Sequence, residues 1–165
     1  NHGISTGGLF LVVGVLYERR HTKAMEAFGG IWRAMPLYSG IALVIVLSSM
    51  GLPGLNGFVG EFTILLGSAG SDAISWWFTA FAAVGIILAA VYMLYMFNSV
   101  FMGALDKEEN KNLPELRWQE LYSLLPILVM VFVIGLQAGY FFDFMDGTVG
   151  DLVEHINGTI ATAGR

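Results

Sequence analysis

No cysteine occurs in the 165 residues, which excludes disulfides, thiolate zinc sites and cysteine-held iron–sulfur clusters on this chain. Charge is also scarce: Asp, Glu, Lys and Arg make up 13% of the residues, against about 25% in soluble domains. The scarcity is concentrated. No charged residue occurs in 73–105 or in 121–142, and between Arg33 and Asp72 the only charged side chain is Glu61. The two uncharged stretches each exceed the roughly 20 residues that span a bilayer. There is no basic surface to attract a nucleic acid, and no Ser-His-Asp set, P-loop or metal-ligand cluster. What remains is a chain that is 56% hydrophobic, with a mean hydropathy of +0.68. This reads as all-α, a polytopic transmembrane helix bundle whose first partner is the lipid bilayer.

Four apolar blocks stand out: 1–16, 36–70, 73–102 and 119–142. The first has the look of the end of a span, and the chain opens on Asn1 with no signal-peptide pattern, so we read the sequence as the C-terminal piece of a longer protein. The second block is too long for one crossing. Thirty-five residues of straight helix would reach about 52 Å, against a hydrocarbon core of about 30 Å. The charges decide how it is divided. Seven of the eight Lys and Arg lie in two loops: Arg19, Arg20, Lys23 and Arg33 in 17–35, and Lys107, Lys111 and Arg117 in 103–119. Basic loops face the cytoplasm, so both belong on one side, and block 36–70 must cross once. It is predicted to be one discontinuous helix, unwound near 53–59. The tail 143–165, acidic apart from His155 and Arg165, then lies on the outer face. Trp76, Trp77, Trp118, Tyr122 and the run Tyr140-Phe141-Phe142 mark interfaces at the span ends.

Within the discontinuous block, residues 47–62 read LSSMGLPGLNGFVGEF. Unpaired backbone at membrane depth persists only where protein buries it or where it lines a wet cavity, and half-helix ends are a recurring way to build ion sites. Pro and Gly alone also serve packing. Glu61 shifts the balance, because a carboxylate near the membrane centre costs at least about 2.5 kcal/mol and such groups mark ion or proton routes. Caught between desolvation and a cationic neighbour, it can exchange a proton near neutral pH. His2, ahead of the small residues Gly3, Ser5, Thr6, Gly7 and Gly8, is the second candidate, as a proton shuttle or equally as a histidine bonded to its helix. Glu18-Arg19-Arg20-His21 reads as a solvated loop, and Tyr92 and Tyr95 as aromatic packing.

HGISTGGLF, LYERRHT, GGIW and GLPGLNGFVGEF, in this order and at these separations, resemble the C-terminal part of the subunit M (mitochondrial chain 4) family of antiporter-like subunits in NADH-quinone oxidoreductase, respiratory complex I. The resemblance runs from Asn1 to about Tyr140. It implies that 1–142 supplies the last helices of a proton-translocating membrane subunit. His2 then matches the family's histidine in the preceding helix, and Glu61 the acid at the second break, where the sister subunits L and N have lysine. It also implies a translocase subunit with no cofactor of its own; NADH, FMN, iron–sulfur clusters and quinone belong to partner subunits. The expected partners are other membrane-arm subunits, including the sister antiporter-like subunits, in a bacterial inner membrane. A Mrp-type cation/proton antiporter or a membrane-bound hydrogenase shares this fold and is the alternative. A scaffold in which Glu61 is only structural is the third reading.

Overall fold

The structure, a computed structural model, describes residues 1–163, so Arg165 lies outside the described residues. Among the described residues every regular element is helical: α1 (His2–Arg20), a 3-10 turn (Met25–Ala27), α2 (Ile31–Ala34), α3 (Pro36–Ser49), α4 (Asn56–Ala69), α5 (Trp76–Phe101), α6 (Glu108–Lys111), α7 (Trp118–Leu136) and α8 (Ala138–Ala163). Two of them, α5 and α7, are long and apolar enough to cross a membrane by length and composition. The fold is an all-helical membrane bundle. α1 packs between α3 and α7, and α4 packs on α7 and α5 more than on α3.

The apolar core gathers at the end of the bundle that carries the basic loops. Ile31, Met35, Tyr38, Ile45, Phe101 and Leu124 are fully or almost fully buried there, with Val12 and Leu16 of α1 against them. The two basic loops interlace at this end. Gly30 N–H donates to Met102 O (2.8 Å), Lys107 Nζ to Phe28 O (2.8 Å) and Asn110 Nδ2 to Ala27 O (3.2 Å), while Arg20 donates to Asn110 Oδ1. The Glu115 carboxylate accepts from the N–H groups of Leu37 (2.9 Å) and Tyr38 (3.1 Å). It thereby caps α3, whose first residue, Pro36, has no N–H to satisfy. Arg19, read from sequence as part of a solvated loop, is instead nearly buried. Its guanidinium bonds both carboxylate oxygens of Glu120 (2.6 and 2.7 Å) and the carbonyls of Val15, Pro114 and Glu115. The sequence pattern ERRH gives no hint of this, because Pro114, Glu115 and Glu120 lie 95 to 101 residues away.

Block 36–70 runs once along the bundle. The Tyr38 ring sits 5.7 Å from that of Phe101 at the end of α5. At the other end of the block, the hydroxyl of Ser68 is 2.7 Å from that of Thr79 near the start of α5. Phe101 and Thr79 are separated by about 33 Å of helix at 1.5 Å per residue, and the block advances over that distance without returning. The interruption lies at residues 50–55, slightly earlier than the 53–59 read from sequence. It is set by Gly51 rather than Pro53. Gly51 has φ +73°, its N–H donates to Ser48 O (3.2 Å), and Leu52 N–H donates to Leu47 O (3.1 Å). These are the two bonds of a Schellman motif, which closes a helix with a left-handed residue after the cap. Pro53 then prevents the helix from resuming at once.

α7 passes the interruption at Gly135. A methyl group there would stand 2.6 Å from the Gly54 carbonyl carbon, and closer still to its oxygen. Gly135→Ala is therefore expected to destabilise the bundle by about 1–3 kcal/mol, the usual range for overpacking. Thermal unfolding in detergent checks this, and an unchanged midpoint would show that the contact is looser than described.

The first and last elements differ from the sequence blocks. α1 continues past residue 16 to Arg20, ended by His21 in the left-handed region, whose N–H returns to Tyr17 O (2.7 Å). The fourth block ends at Leu136, and α8 begins after Gln137 and takes in the acidic tail as far as Ala163. Counting charges in 143–165 hid a helical spacing of Phe141, Met145, Val149, Leu152 and Ile156, which lie three or four residues apart.

Candidate functional site

α1, α3, α4 and α5 line a half-open cavity of about 320 Å³ beside the interruption. Both residues singled out from sequence line it: His2 from the first turn of α1 and Glu61 from the second turn of α4. Their side chains are 59 positions apart in sequence and are brought to one space by the packing of α4 on α1 at the break. The Glu61 side chain lies over Gly51, so closely that a Cβ at that position would collide with the carboxylate oxygen Oε2. A glycine at 51 thus answers two demands, the left-handed dihedral and the room for the acid. Glu61 is half-buried, and among the described residues no lysine or arginine lines the cavity. His2 is exposed at the rim, where the Thr6 hydroxyl is 3.3 Å from Nε2 and 3.4 Å from Nδ1. The histidine's partner is thus a side-chain hydroxyl one turn along its own helix.

Five hydroxyls share the lining, Ser5 and Thr6 of α1, Ser48 and Ser49 of α3 and Tyr92 of α5, alongside the apolar side chains of Leu9, Ile64 and Met93. Tyr92 and Tyr95, read from sequence as packed aromatics, are 61% and 67% exposed on α5, and Tyr92 contributes to the cavity. The space admits several water molecules at roughly 30 Å³ each, and titratable groups that share such a space can exchange a proton through waters of this kind. Among the described residues there is no group of three or more His, Asp or Glu placed to hold a metal ion.

Ser48 and Asn56 escaped the sequence reading, and Ser5 was read there only as a small packing residue; all three are buried, with Ser5 and Ser48 also lining the cavity. The Asn56 amide nitrogen donates to Ser5 Oγ (3.2 Å) and to Asn1 O (3.1 Å). Ser5 Oγ lies 3.0 Å from Ser48 Oγ, and Ser48 Oγ donates to Asn56 Oδ1. Asn56 is the only amide side chain between Arg33 and Asp72, and a lone amide in an apolar run must find partners if it is buried. That was the available signal.

The fold and this site define a helical membrane protein of the broken-helix type, with half-helix ends and ionisable groups meeting at one cavity. Comparison with known proteins places it more narrowly. The chain belongs to the NADH:quinone oxidoreductase/Mrp antiporter transmembrane family, whose model matches residues 1–89. It is 35% identical, over 98% of its length, to NADH-quinone oxidoreductase subunit M of Rhodobacter capsulatus, of which it covers 31%. It is 42% identical over 82% of its length to subunit M of Rickettsia prowazekii (strain Madrid E), covering 27% of that protein. Among solved structures it resembles a chain of respiratory complex I from Thermus thermophilus with bound NADH. That match has a TM-score of 0.74 and 34% identity, over 85% of this chain and 28% of that one. The chain thus spans about three tenths of the length of the proteins it matches.

Proposed function

We propose that this chain is part of a membrane-arm subunit of an NADH-quinone oxidoreductase, and that it helps couple electron transfer from NADH to quinone to the movement of protons across the membrane. Glu61 and His2 are the proton-relay groups. The observation that carries the reading is that these two, chosen on separate grounds, line one cavity at a helix interruption. In this reading a proton enters the cavity, is held on the Glu61 carboxylate and is passed by way of His2 and the hydroxyl-lined space. Groups outside this chain complete the path. The redox chemistry, with NADH, FMN, iron–sulfur clusters and quinone, belongs to partner subunits, and the neighbours in the membrane arm include the sister antiporter-like subunits. The interlaced basic loops face the cytoplasm, which leaves the C-terminal helix toward the outer face of a bacterial inner membrane.

The family also takes in Mrp antiporters, in which the same cavity would serve exchange of a cation for a proton; the names of the most similar relatives favour the oxidoreductase. The experiment is Glu61→Gln in the assembled complex, read as protons moved per NADH oxidised. A ratio equal to that of the unaltered complex overturns the relay reading and leaves Glu61 structural.

A further inference from the structure

We infer that Asn56 is a positioning residue for the cavity: clasped by Ser5 and Ser48, it locks the first turn of α4 to α1 and α3 and so fixes where Glu61 stands relative to His2. This rests on the relay reading of Glu61 and deepens it.

The hydrogen bonds form a closed ring. Asn56 Nδ2 donates to Ser5 Oγ, Ser5 Oγ to Ser48 Oγ, and Ser48 Oγ to Asn56 Oδ1. Each bond joins a different pair of helices, so the ring ties α1, the last turn of α3 and the first turn of α4 at a single point. The second amide hydrogen goes to the Asn1 carbonyl (3.1 Å), one turn before Ser5 on α1. Asn56 and Ser48 are fully buried and Ser5 nearly so. In such surroundings a satisfied network is rigid and a half-satisfied one is costly.

Asn at a helix start ordinarily caps its own helix. Here the cap position is Leu55, which offers no side-chain acceptor, and the Asn56 amide is directed entirely at the neighbouring helices. α4 follows a six-residue interruption with two left-handed glycines, Gly51 and Gly54, held by the turn bond from Leu55 N–H to Leu52 O and by the close approach of Gly135. Asn56 adds side-chain bonds to α1 and α3 at the point where the helix resumes. Each residue of helix turns about 100°. A slip of one residue would swing Glu61 out of the cavity and off its seat over Gly51. The clasp, five residues before Glu61, is the polar contact that opposes that slip.

The titratable groups lining the cavity are His2 on α1, Glu61 on α4 and Tyr92 on α5, while α3 contributes only hydroxyls. Moving Glu61 changes its distance from the other two and its access to water, so the pH profile of pumping reports position where stability alone would not. The test uses the assembled complex in proteoliposomes, with protons moved per NADH oxidised measured against pH for Asn56→Ala, Ser48→Ala, Ser48→Thr and Glu61→Gln. Misplacement of a reacting group by an ångström can cost up to 10²-fold. The expected result is a loss on the order of tenfold in pumping and a displaced pH profile for Asn56→Ala and Ser48→Ala. Ser48→Thr, which keeps the hydroxyl, is expected to restore most of the pumping lost in Ser48→Ala and to return the pH profile toward that of the unaltered complex. If Asn56→Ala does not assemble, the Ser48→Ala and Ser48→Thr pair decides by the same criterion. Normal pumping and an unmoved pH profile in the alanine variants, with Glu61→Gln impaired, overturns the positioning role and leaves the relay standing. Normal pumping in Glu61→Gln overturns the relay and the inference that rests on it.

Discussion

With Glu61 in the proposed relay role, Glu61→Gln is expected to leave the complex assembled and to cut proton flux by way of this residue roughly 10²-fold or more, the scale of a positioned acid–base group. Glutamine matches the carboxylate in shape, so the seat over Gly51 is kept and the packing of α4 on α5 and α7 is undisturbed. It is also cheaper than an acid to hold at membrane depth, so assembly should not suffer. What is lost is the ability to bind and release a proton. Glu61→Asp separates chemistry from shape in the other direction. It keeps the acid but withdraws it by one methylene from His2 and the hydroxyls, and it is expected to retain a reduced flux. Proton movement followed with a pH-sensitive dye in proteoliposomes, alongside NADH oxidation, gives both numbers. Equal pumping by all three chains would mean that the acid is a structural group.

The second large effect is expected far from the cavity, at the basic-loop end. Arg19 and Glu120 are 5% and 12% exposed, with their side chains joined at 2.6 Å. Breaking a buried pair by removing one partner typically costs about 3–5 kcal/mol, because the other charge is left buried without compensation. Arg19→Met should fall in this range, since it also releases the carbonyls of Val15, Pro114 and Glu115. Glu120 also accepts from the Arg117 N–H (2.7 Å) and so caps α7. The double variant Arg19→Met/Glu120→Gln removes both charges, keeps an oxygen for that cap and is expected to be more stable than Arg19→Met alone. Thermal unfolding of the three chains measures the difference. A double variant no better than the single one would show that the released carbonyls, and not the stranded carboxylate, set the cost.

Much of the cavity was legible before any packing was known. Glu61 stands alone between Arg33 and Asp72, so its cost in an apolar surround singled it out without reference to its neighbours. His2 was chosen for its chemistry and location, and the structure brings it to the same space. Ser48 is one of several hydroxyls in its block, and Asn56, although the only amide between Arg33 and Asp72, carries no charge to single it out. An amide or a hydroxyl acquires meaning when its partners are known, and Ser5 and Ser48 reach Asn56 from 51 and 8 positions away.

The interruption shows the division at finer scale. A Pro and evenly spaced glycines in 47–62 were enough to say that the helix breaks, because proline and glycine act on the backbone locally. Which of them ends it was decided at Gly51, where the bonds to Leu47 and Ser48 close the helix before Pro53 is reached. Arg19 is the opposite case. Beside Glu18, Arg20 and His21 it has the pattern of a solvated charge, and only the approach of the loop around Glu115 and Glu120 buries it.

By itself, then, the sequence determined that this is a helical membrane bundle, that block 36–70 is interrupted, and that Glu61 is its exceptional group. Each of these follows from hydropathy, from backbone chemistry or from the cost of a charge in an apolar medium, and all three act within a few residues. The tertiary structure alone decided that His2 and Glu61 share a cavity, that Asn56 clasps three helices beside it, and that Arg19 is held in a buried pair. Those are contacts between distant segments, and a partner's identity is set by how helices pack rather than by what stands next to a residue in the chain.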